Sequence, residues 1–486
     1  MIGNDSGLYA AFIAKDARFD GRLFVGISST GIYCRPVCRA KKPNEENCSF
    51  FRTAAEAERA GYRPCLLCRP ELAPGTSITD ATKTLARRAA RLLEENCGMG
   101  LSLDEIAGQL RCTDRHLRRV FTEEYNVSPV HYLQTCRLLL AKNLLTDTSL
   151  SVLDVAMAAG FGSLRRFNDL FKEHYHLSPT ALRKSIKDGQ KQRRTITVLL
   201  GYRPPYRWDE MMTFLQGRSI TGVDFVKDNA YWRTAYFITP KEKGVYGWIK
   251  VHNIPKKNAL GVTISETLLP ALPQVLARIR QMFDLYCDPD AVYEVISSMN
   301  DIRPGLCTIG TRLPGSFEPF EMAVRAVLGQ QITVKAASTL AGRIVQIYGT
   351  PIETGIEGLT HMFPSPEAIL ALDGSIENHF GALGVTAARS RTIKELAMAM
   401  VENNIDFGLC SDPLEEMKKL MTIPGIGSWT AQYIAMRTME WTDAFLETDI
   451  GVKKAMGGLT PKEMLKIAEA WRPWRSYATI NLWNSL

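Results

Sequence analysis

Four cysteines stand close enough along the chain to hold one metal ion: Cys34 and Cys38, then Cys65 and Cys68. Two short pairs separated by a loop can converge on a tetrahedral ion, and four thiolates make an all-cysteine zinc set. The other seven, Cys48, Cys97, Cys112, Cys136, Cys287, Cys307 and Cys410, follow no pattern. In a reducing compartment a tight cluster points to metal before disulfide. Such a zinc can serve simply to hold up a small domain. It can also keep a sulfur as thiolate at neutral pH and so make it a nucleophile. A second group lies near the other end. Pro424-Gly425-Ile426-Gly427 reads as a tight hairpin between two helices. Glycines there leave N–H groups free at a helix N-terminus, where a phosphate can sit. Further on, Phe445-Leu-Glu-Thr-Asp449 ends in a carboxylate. It could stabilise developing positive charge. A loop aspartate taken alone could equally cap a helix. Trp429, Tyr433 and Trp483 fall in helical patterns; they could pack a core or stack on a cationic ring.

Elements must position these groups. The 486 residues suit about three domains. Residues 80–186 read as helices, with amphipathic runs such as TKTLARRAARLLEE. Residues 196–265 carry strand signals in TITVLL, TAYFI and GVYGWIKV, and from about 270 the pattern is helical again. The hydrophilic stretch 187–195 reads as a linker, and Leu72-Ala-Pro-Gly-Thr76 as a softer break. The expected domains are therefore 1–76, 80–186, 196–300 and 301–486, with the two halves independent across the linker. The first 200 residues hold 30 Lys and Arg against 21 Asp and Glu, so all of the net +8 charge lies there. That excess favours a polyanionic partner. No apolar run is long enough to span a bilayer, and the first residues lack a secretory pattern, so a cytoplasmic location is expected.

The helical segment repeats itself. Asn126-Val-Ser-Pro129 recurs as His176-Leu-Ser-Pro179. Ahead of each copy stands an apolar helix with Ala107 or Ala156 at its crowded crossing, a short turn and a basic helix. Two copies of this helix-turn-helix plan resemble the AraC-type DNA-binding domain. The resemblance implies a long helix joining them, at roughly 129–146. It also implies that Arg115, Arg118 and Arg119 on the first recognition helix, and Arg165 and Arg166 on the second, face DNA. Around the cysteines, Ser29-Thr-Gly-Ile-Tyr-Cys34-Arg-Pro-Val-Cys38-Arg and Gly61-Tyr-Arg-Pro-Cys65-Leu-Leu-Cys68-Arg-Pro closely resemble the N-terminal domain of the Ada alkylation-response family, over about 8–73. In that family the first cysteine, here Cys34, takes a methyl group from a methylphosphotriester in the DNA backbone. Cys38, Cys65 and Cys68 complete the zinc site. Arg35, Arg39 and Arg63 flank the cluster and could position phosphates. Four thiolates on Zn2+ carry a charge of −2. Methylating one leaves −1 and weakens repulsion from DNA, which would turn repair into a transcriptional signal. Cys48 is expected to be a small buried residue rather than a fifth ligand.

Residues 196–486 resemble the AlkA type of 3-methyladenine DNA glycosylase. The resemblance is carried by Tyr202-Arg-Pro-Pro-Tyr-Arg-Trp208, Arg325-Ala-Val-Leu-Gly-Gln330, the hairpin and Trp471-Arg-Pro-Trp-Arg-Ser-Tyr477. It puts Asp449 at the catalytic aspartate, Trp429, Tyr433 and Trp483 in the pocket for a flipped base, and Gln330, Gln331, Gly425 and Gly427 against DNA. It also puts the carbonyls of Met421, Ile423 and Gly425 at a monovalent-cation site. Gln331 stands where the family inserts a leucine into the gap left by the base. Trp429 stands where bifunctional relatives carry a Schiff-base lysine, so a monofunctional enzyme is expected. No cysteine follows Cys410, so no iron–sulfur cluster is expected, and the Pro-Cys-His-Arg of O6-methylguanine methyltransferases is missing.

The expected fold is multidomain α+β: a four-cysteine zinc domain, an all-α double helix-turn-helix, and an antiparallel β domain followed by a helix-hairpin-helix domain. The expected partners are double-stranded DNA and RNA polymerase, with the protein a monomer. One rival reading remains, a methylation-activated regulator whose second half is a non-catalytic DNA clamp.

Overall fold

Strands β1 (Phe24–Ile27), β2 (Ile32–Cys34), β3 (Cys48–Phe51) and β4 (Arg63–Pro64) form a small sheet in the order β3-β1-β2-β4. Helix α1 (Ala54–Arg59) packs on it; Thr53 caps α1 by accepting the Glu56 N–H at 3.1 Å. Cys48 lies in an apolar core with Phe12, Leu23, Val25 and Phe50, away from the other cysteines. The computed structural model describes residues 6–73, 85–98, 101–110, 112–185, 195–238, 244–407 and 412–486. Residues 187–194 of the expected linker, 74–76 of the softer break, and Cys410 lie outside these.

The repeat becomes a pair of helix-turn-helix units. After α2 (Leu85–Glu95) come α3 (Leu103–Gln109) and α4 (Asp114–Tyr125), then the long α5 (Pro129–Asp147), then α6 (Val152–Ala158) and α7 (Leu164–Tyr175). The repeated tetrapeptide is a stop followed by a start. Asn126 and His176 end their helices with φ of 54° and 53°. Ser128 and Ser178 then cap the next helix, and Pro129 and Pro179 take its first position. Leu117, Phe121 and Tyr125 line one face of α4, and Phe167, Phe171 and Tyr175 the matching face of α7, all at a spacing of one helical turn. Ala107 and Ala156 are buried at the crossings, where a larger side chain would hold the helices apart.

The second half opens with a five-stranded antiparallel sheet in the order β5-β9-β8-β7-β6: β5 (Thr195–Gly201), β6 (Asp224–Lys227), β7 (Ala230–Ile238), β8 (Gly244–Ile254) and β9 (Ala259–Ser265). Alternate residues such as Val198, Val251 and Val262 point into the core. Strands β6 and β9 fall inside the expected β region, 196–265, but outside its three named strand runs: β6 is short, and β9 follows a Pro-Lys-Lys turn in a run with little alternation. The helices that matter most beyond the sheet are α8 (Pro319–Leu328), α9 (Val334–Tyr348), α10 (Ala387–Val401), α11 (Pro413–Leu420), α12 (Ser428–Thr438), α13 (Ile450–Ala455) and α14 (Arg475–Asn484).

The expected independence of the halves is corrected. One continuous core runs from Leu138 of α5 and from Val155 and Phe167 of the second helix-turn-helix into Val198 and Leu272 of the second half. The first helix-turn-helix has a core of its own. Polar contacts reinforce the junctions: Arg91 pairs with Glu440, and Arg22 with Asp288 at 2.6 Å. Among the described residues, no helix is long and apolar enough to cross a membrane.

Candidate metal centre and aromatic cleft

Strand β2 delivers Cys34 at its end, and Cys65 follows β4, which pairs with β2 in parallel. The pairing therefore sets the two cysteine pairs side by side. The sulfurs of Cys34, Cys38, Cys65 and Cys68 all lie within 4.8 Å of one another, and the first three residues are buried. Tetrahedral Zn–S bonds of about 2.3 Å place sulfurs about 3.8 Å apart, a separation that falls within this limit. Four soft sulfurs with no carboxylate or imidazole suit Zn2+. Crowded thiols cannot all ionise without a cation: hydrogen bonding to the others drives Cys34 far up and Cys65 far down. The Arg35 N–H points at the Cys68 sulfur at 3.3 Å.

The flanking arginines divide. Arg39 is exposed and Arg63 half-buried. Arg35, expected to meet a phosphate, is buried instead. Its Nε donates to Asp20 at 2.8 Å and its Nη1 to the Cys68 carbonyl at 3.1 Å. The Asp20 carbonyl in turn accepts from Arg203 at 3.1 Å. Arg35 is thus committed to holding the cysteine loop against the second half of the chain. On the recognition helices Arg115, Arg118, Arg119, Arg165 and Arg166 are all exposed. Arg118 and Arg119 also pair along their own helix with Asp114 at 2.7 Å and Glu123 at 3.0 Å, exposed contacts of small value.

Asp449 is a helix cap and a cleft residue at once. It caps α13, with Oδ1 accepting the Val452 N–H at 3.0 Å and the Trp483 indole N–H at 2.9 Å. It lines a cavity of about 280 Å³ together with Trp429, Tyr433 and Trp483. Trp429 and Tyr433 are one turn apart on α12, and their rings stack at 5.2 Å and 21°. Trp483, from α14, meets Tyr433 edge-on at 6.1 Å. The three aromatics and the carboxylate therefore converge, from segments far apart in sequence.

Three arginines that sequence reasoning did not assign to the site surround this wall: Arg218 and Arg325 line the cavity, and Arg437 lies behind Tyr433. Arg437 is buried and donates to the Tyr433 hydroxyl at 2.9 Å, Arg218 lies 3.6 Å from the centre of the Phe214 ring, and Arg325 pairs with Glu321 at 3.1 Å. Burial alone would raise the Tyr433 hydroxyl, but Arg437, Arg218 and Arg325 outweigh it and bring it below its ordinary value. Arg437 sits one turn after Tyr433, and that spacing was the available sign. Arg218 lies in an unrelated segment and left none.

The hairpin joins α11 to α12, with Gly427 as the cap residue of α12. Gly425 has φ of +92°, and a Cβ there would fall 2.3 Å from the Thr392 hydroxyl. That hydroxyl donates to the Pro424 carbonyl at 2.7 Å. The Gln330 amide nitrogen is engaged within the protein: Nε2 donates to the Gly425 carbonyl at 2.8 Å and to Thr430 at 3.0 Å. The same bond occupies one of the three carbonyls expected to hold a monovalent cation. Gln331 is exposed with φ of +54°, at the apex between α8 and α9.

Four family descriptions match the chain: the metal binding domain of Ada over 7–71, a helix-turn-helix domain over 106–185, the AlkA N-terminal domain over 197–318, and the HhH-GPD superfamily base excision DNA repair protein over 324–470. A probable bifunctional transcriptional activator/DNA repair enzyme AlkA of Mycobacterium tuberculosis is 34% identical, covering 98% of this chain and 96% of its own length. The DNA-3-methyladenine glycosylase 2 of Escherichia coli is 35% identical over 58% of this chain and 95% of its own. The bifunctional transcriptional activator/DNA repair enzyme AdaA of Bacillus subtilis is 28% identical over 38% of this chain and 88% of its own. The match to the Ada metal-binding domain and the geometry of the four sulfurs agree on one Zn2+.

Proposed function

The chain belongs to the family of bifunctional transcriptional activator/DNA repair enzymes, and on that premise we propose that it repairs alkylated DNA by two separate chemistries and regulates transcription in response. The observation that carries the first chemistry is Asp449, whose carboxylate is held at the edge of an aromatic cavity by Val452 and Trp483. A base such as 3-methyladenine or 7-methylguanine, rotated out of the helix, stacks against Trp429 and Tyr433. Its bond to C1′ breaks with the electrons leaving on the base, so positive charge grows on the sugar. The Asp449 carboxylate opposes that charge and favours attack by water at C1′. The product is an abasic site, because Trp429 offers no amine for a Schiff base. The test is release of 3-methyladenine and 7-methylguanine from methylated duplex DNA. We expect release by the wild type and little by Asp449→Asn; equal release by both would reject the role of Asp449, and no release by the wild type would favour the clamp reading.

The second chemistry belongs to Cys34. Its sulfur attacks the methyl carbon of a methylphosphotriester, an S–C bond forms, the C–O bond breaks, and the phosphodiester anion leaves. Bound zinc supplies the thiolate character this needs. Support comes from the four-sulfur geometry and the placement of Cys34 at a strand end in an Ada-type domain. Mass spectrometry after incubation with methylphosphotriester DNA should find one added methyl on Cys34; an unmodified Cys34 would leave the zinc purely structural. The exposed arginines of α4 and α7 support binding of double-stranded DNA through the two recognition helices.

A further inference from the structure

Two parts of the second half lie beside the aromatic cavity, and one side chain joins them. The first is the turn between α8 and α9, a lip of the cavity: Gly329, Ile332 and Val334 line it together with Trp429 and Asp449. Gln331 is the exposed tip of that turn. The second is the hairpin between α11 and α12, whose Gly425, Gly427 and Ser428 are exposed. Gln330, the residue before the tip, is the link. Its Nε2 leaves the lip turn and donates to the Gly425 carbonyl at 2.8 Å and to the Thr430 hydroxyl, in the first turn of α12, at 3.0 Å. Helix α10 clasps both parts. Its Arg389 donates to the Gln330 carbonyl, and its Thr392, three residues on, donates to the Pro424 carbonyl at 2.7 Å.

The lip turn does little to hold its own shape. Gln331 has φ of +54°, a left-handed conformation that a residue with a side chain keeps only where its neighbours fix it. The backbone bonds within the turn are long: the Gln330 N–H reaches Val327 at 3.4 Å, and the Ile332 N–H reaches Gly329 at 3.5 Å. The firm contacts are those that leave the turn, from the Gln330 amide to the hairpin and from Arg389 to the Gln330 carbonyl. Turning a nucleotide out of a duplex breaks its pairing and stacking, so the strand must be gripped while the vacated space is filled. Free N–H groups at the hairpin suit the grip on a phosphate. Gln331, exposed at the lip, is the side chain placed to enter the gap. The two actions meet on one nucleotide only if their separation is fixed, since a misplacement of about 1 Å can cost about a hundredfold in rate.

We propose that Gln330 is a positioning residue for base rotation: its amide fixes the lip turn to the hairpin, so that the phosphate grip and the tip at Gln331 act on the strand as one body. The proposal rests on the glycosylase reading above. It gives Gln330 no part in breaking the bond to C1′. Loss of the amide therefore slows the turning of the base and spares the chemistry that follows.

The test uses the full chain and two duplexes, each with one 7-methylguanine. In one the lesion is paired with cytosine; in the other it faces an abasic analogue, so that stacking alone holds it. Gln330→Met keeps the length of the side chain and removes the donor. Gly425 is exposed, so water can take over its carbonyl and the fold should survive. With enzyme in excess, Gln330→Met should release base from the paired duplex about tenfold more slowly than the wild type, and from the unpaired one no more than about threefold more slowly. Its melting temperature and its affinity for undamaged duplex should stay close to wild type. A 2-aminopurine beside the lesion reports rotation directly: its fluorescence should rise on mixing with the wild type, and about tenfold more slowly with Gln330→Met. A merely structural role would distort the cavity and slow both duplexes alike, so equal slowing, or none, would overturn the proposal. If Gln330→Met does not fold, Thr430→Val removes one acceptor and should show the same selective loss, smaller in size; its absence would overturn the proposal equally. A wild type that releases no base rejects the glycosylase reading instead. The fluorescence then still decides the role of Gln330, because equal signals from the wild type and Gln330→Met, a missing rise included, would overturn it.

Discussion

Replacing Trp483 by Phe isolates one hydrogen bond in the aromatic cleft. The indole N–H donates to Asp449 Oδ1 at 2.9 Å, and Phe removes that donor while keeping a ring beside Tyr433. The Val452 N–H stays on the same oxygen at 3.0 Å, so the cap of α13 survives. A hydrogen bond to a charged group contributes about 1.5–3 kcal/mol. Both partners are half-buried, so water takes up part of the loss and the lower end applies. If the bond aims the carboxylate at C1′, about 1.5 kcal/mol of transition-state stabilisation disappears, a slowing of roughly tenfold, with about a hundredfold as the upper bound. The assay is single-turnover release of 7-methylguanine with enzyme in excess, so that binding is saturated. Trp483→Phe should release base about ten times more slowly with an unchanged melting temperature. Adding it to Asp449→Asn should cost nothing more, because the bond then has no charge to aim. A wild-type rate, or a further full tenfold loss in the double variant, would refute the reasoning.

Gly425→Ala forces a side chain into φ of +92° and against the Thr392 hydroxyl that braces the hairpin. Conformation alone costs about 1–2 kcal/mol, so both melting temperature and affinity for duplex DNA should fall. Glu58, with its carboxyl pushed up to about 8 by burial, gives a pH dependence of known sign. Between its ordinary 4.5 and about 8 the folded chain keeps a proton that the unfolded chain has lost, so stability falls as pH rises through that window. Thermal melts should show that decline in the wild type and a flatter profile in Glu58→Gln. Cys38→Ser should reduce bound zinc well below one per chain by atomic absorption and raise amide exchange across β1–β4, because a structural zinc contributes folding energy directly.

Spacing made the metal centre legible. Two cysteine pairs name their ligand set, and β2–β4 pairing needed only to bring them together. The tetrapeptide repeat was equally plain, because its stop and start chemistry is local: a left-handed residue, a capping serine, a proline. Asp449 was harder. Its two readings, helix cap and cleft carboxylate, are not rivals in the folded chain, since one oxygen serves both. What escaped was non-local. Nothing in the run around Arg35 announces Asp20 as its partner, and nothing around Arg218 places it in the cavity with Trp429, Tyr433 and Trp483. A flanking arginine looks like a phosphate ligand until burial is known. The hydrophilic stretch 187–195 suggested autonomy because composition describes a segment and not what its neighbours bury.

The continuous core that runs from Leu138 and Phe167 into Val198 and Leu272 has a consequence for how such proteins can be rearranged. Sequences like its two halves occur as shorter proteins, as in Bacillus subtilis AdaA and the Escherichia coli glycosylase. In this chain the halves are grafted together rather than strung together. Cutting within 187–194 would strip apolar surface from both sides of the graft, and a glycosylase half taken from a relative would not seat without repacking against Val155 and Phe167.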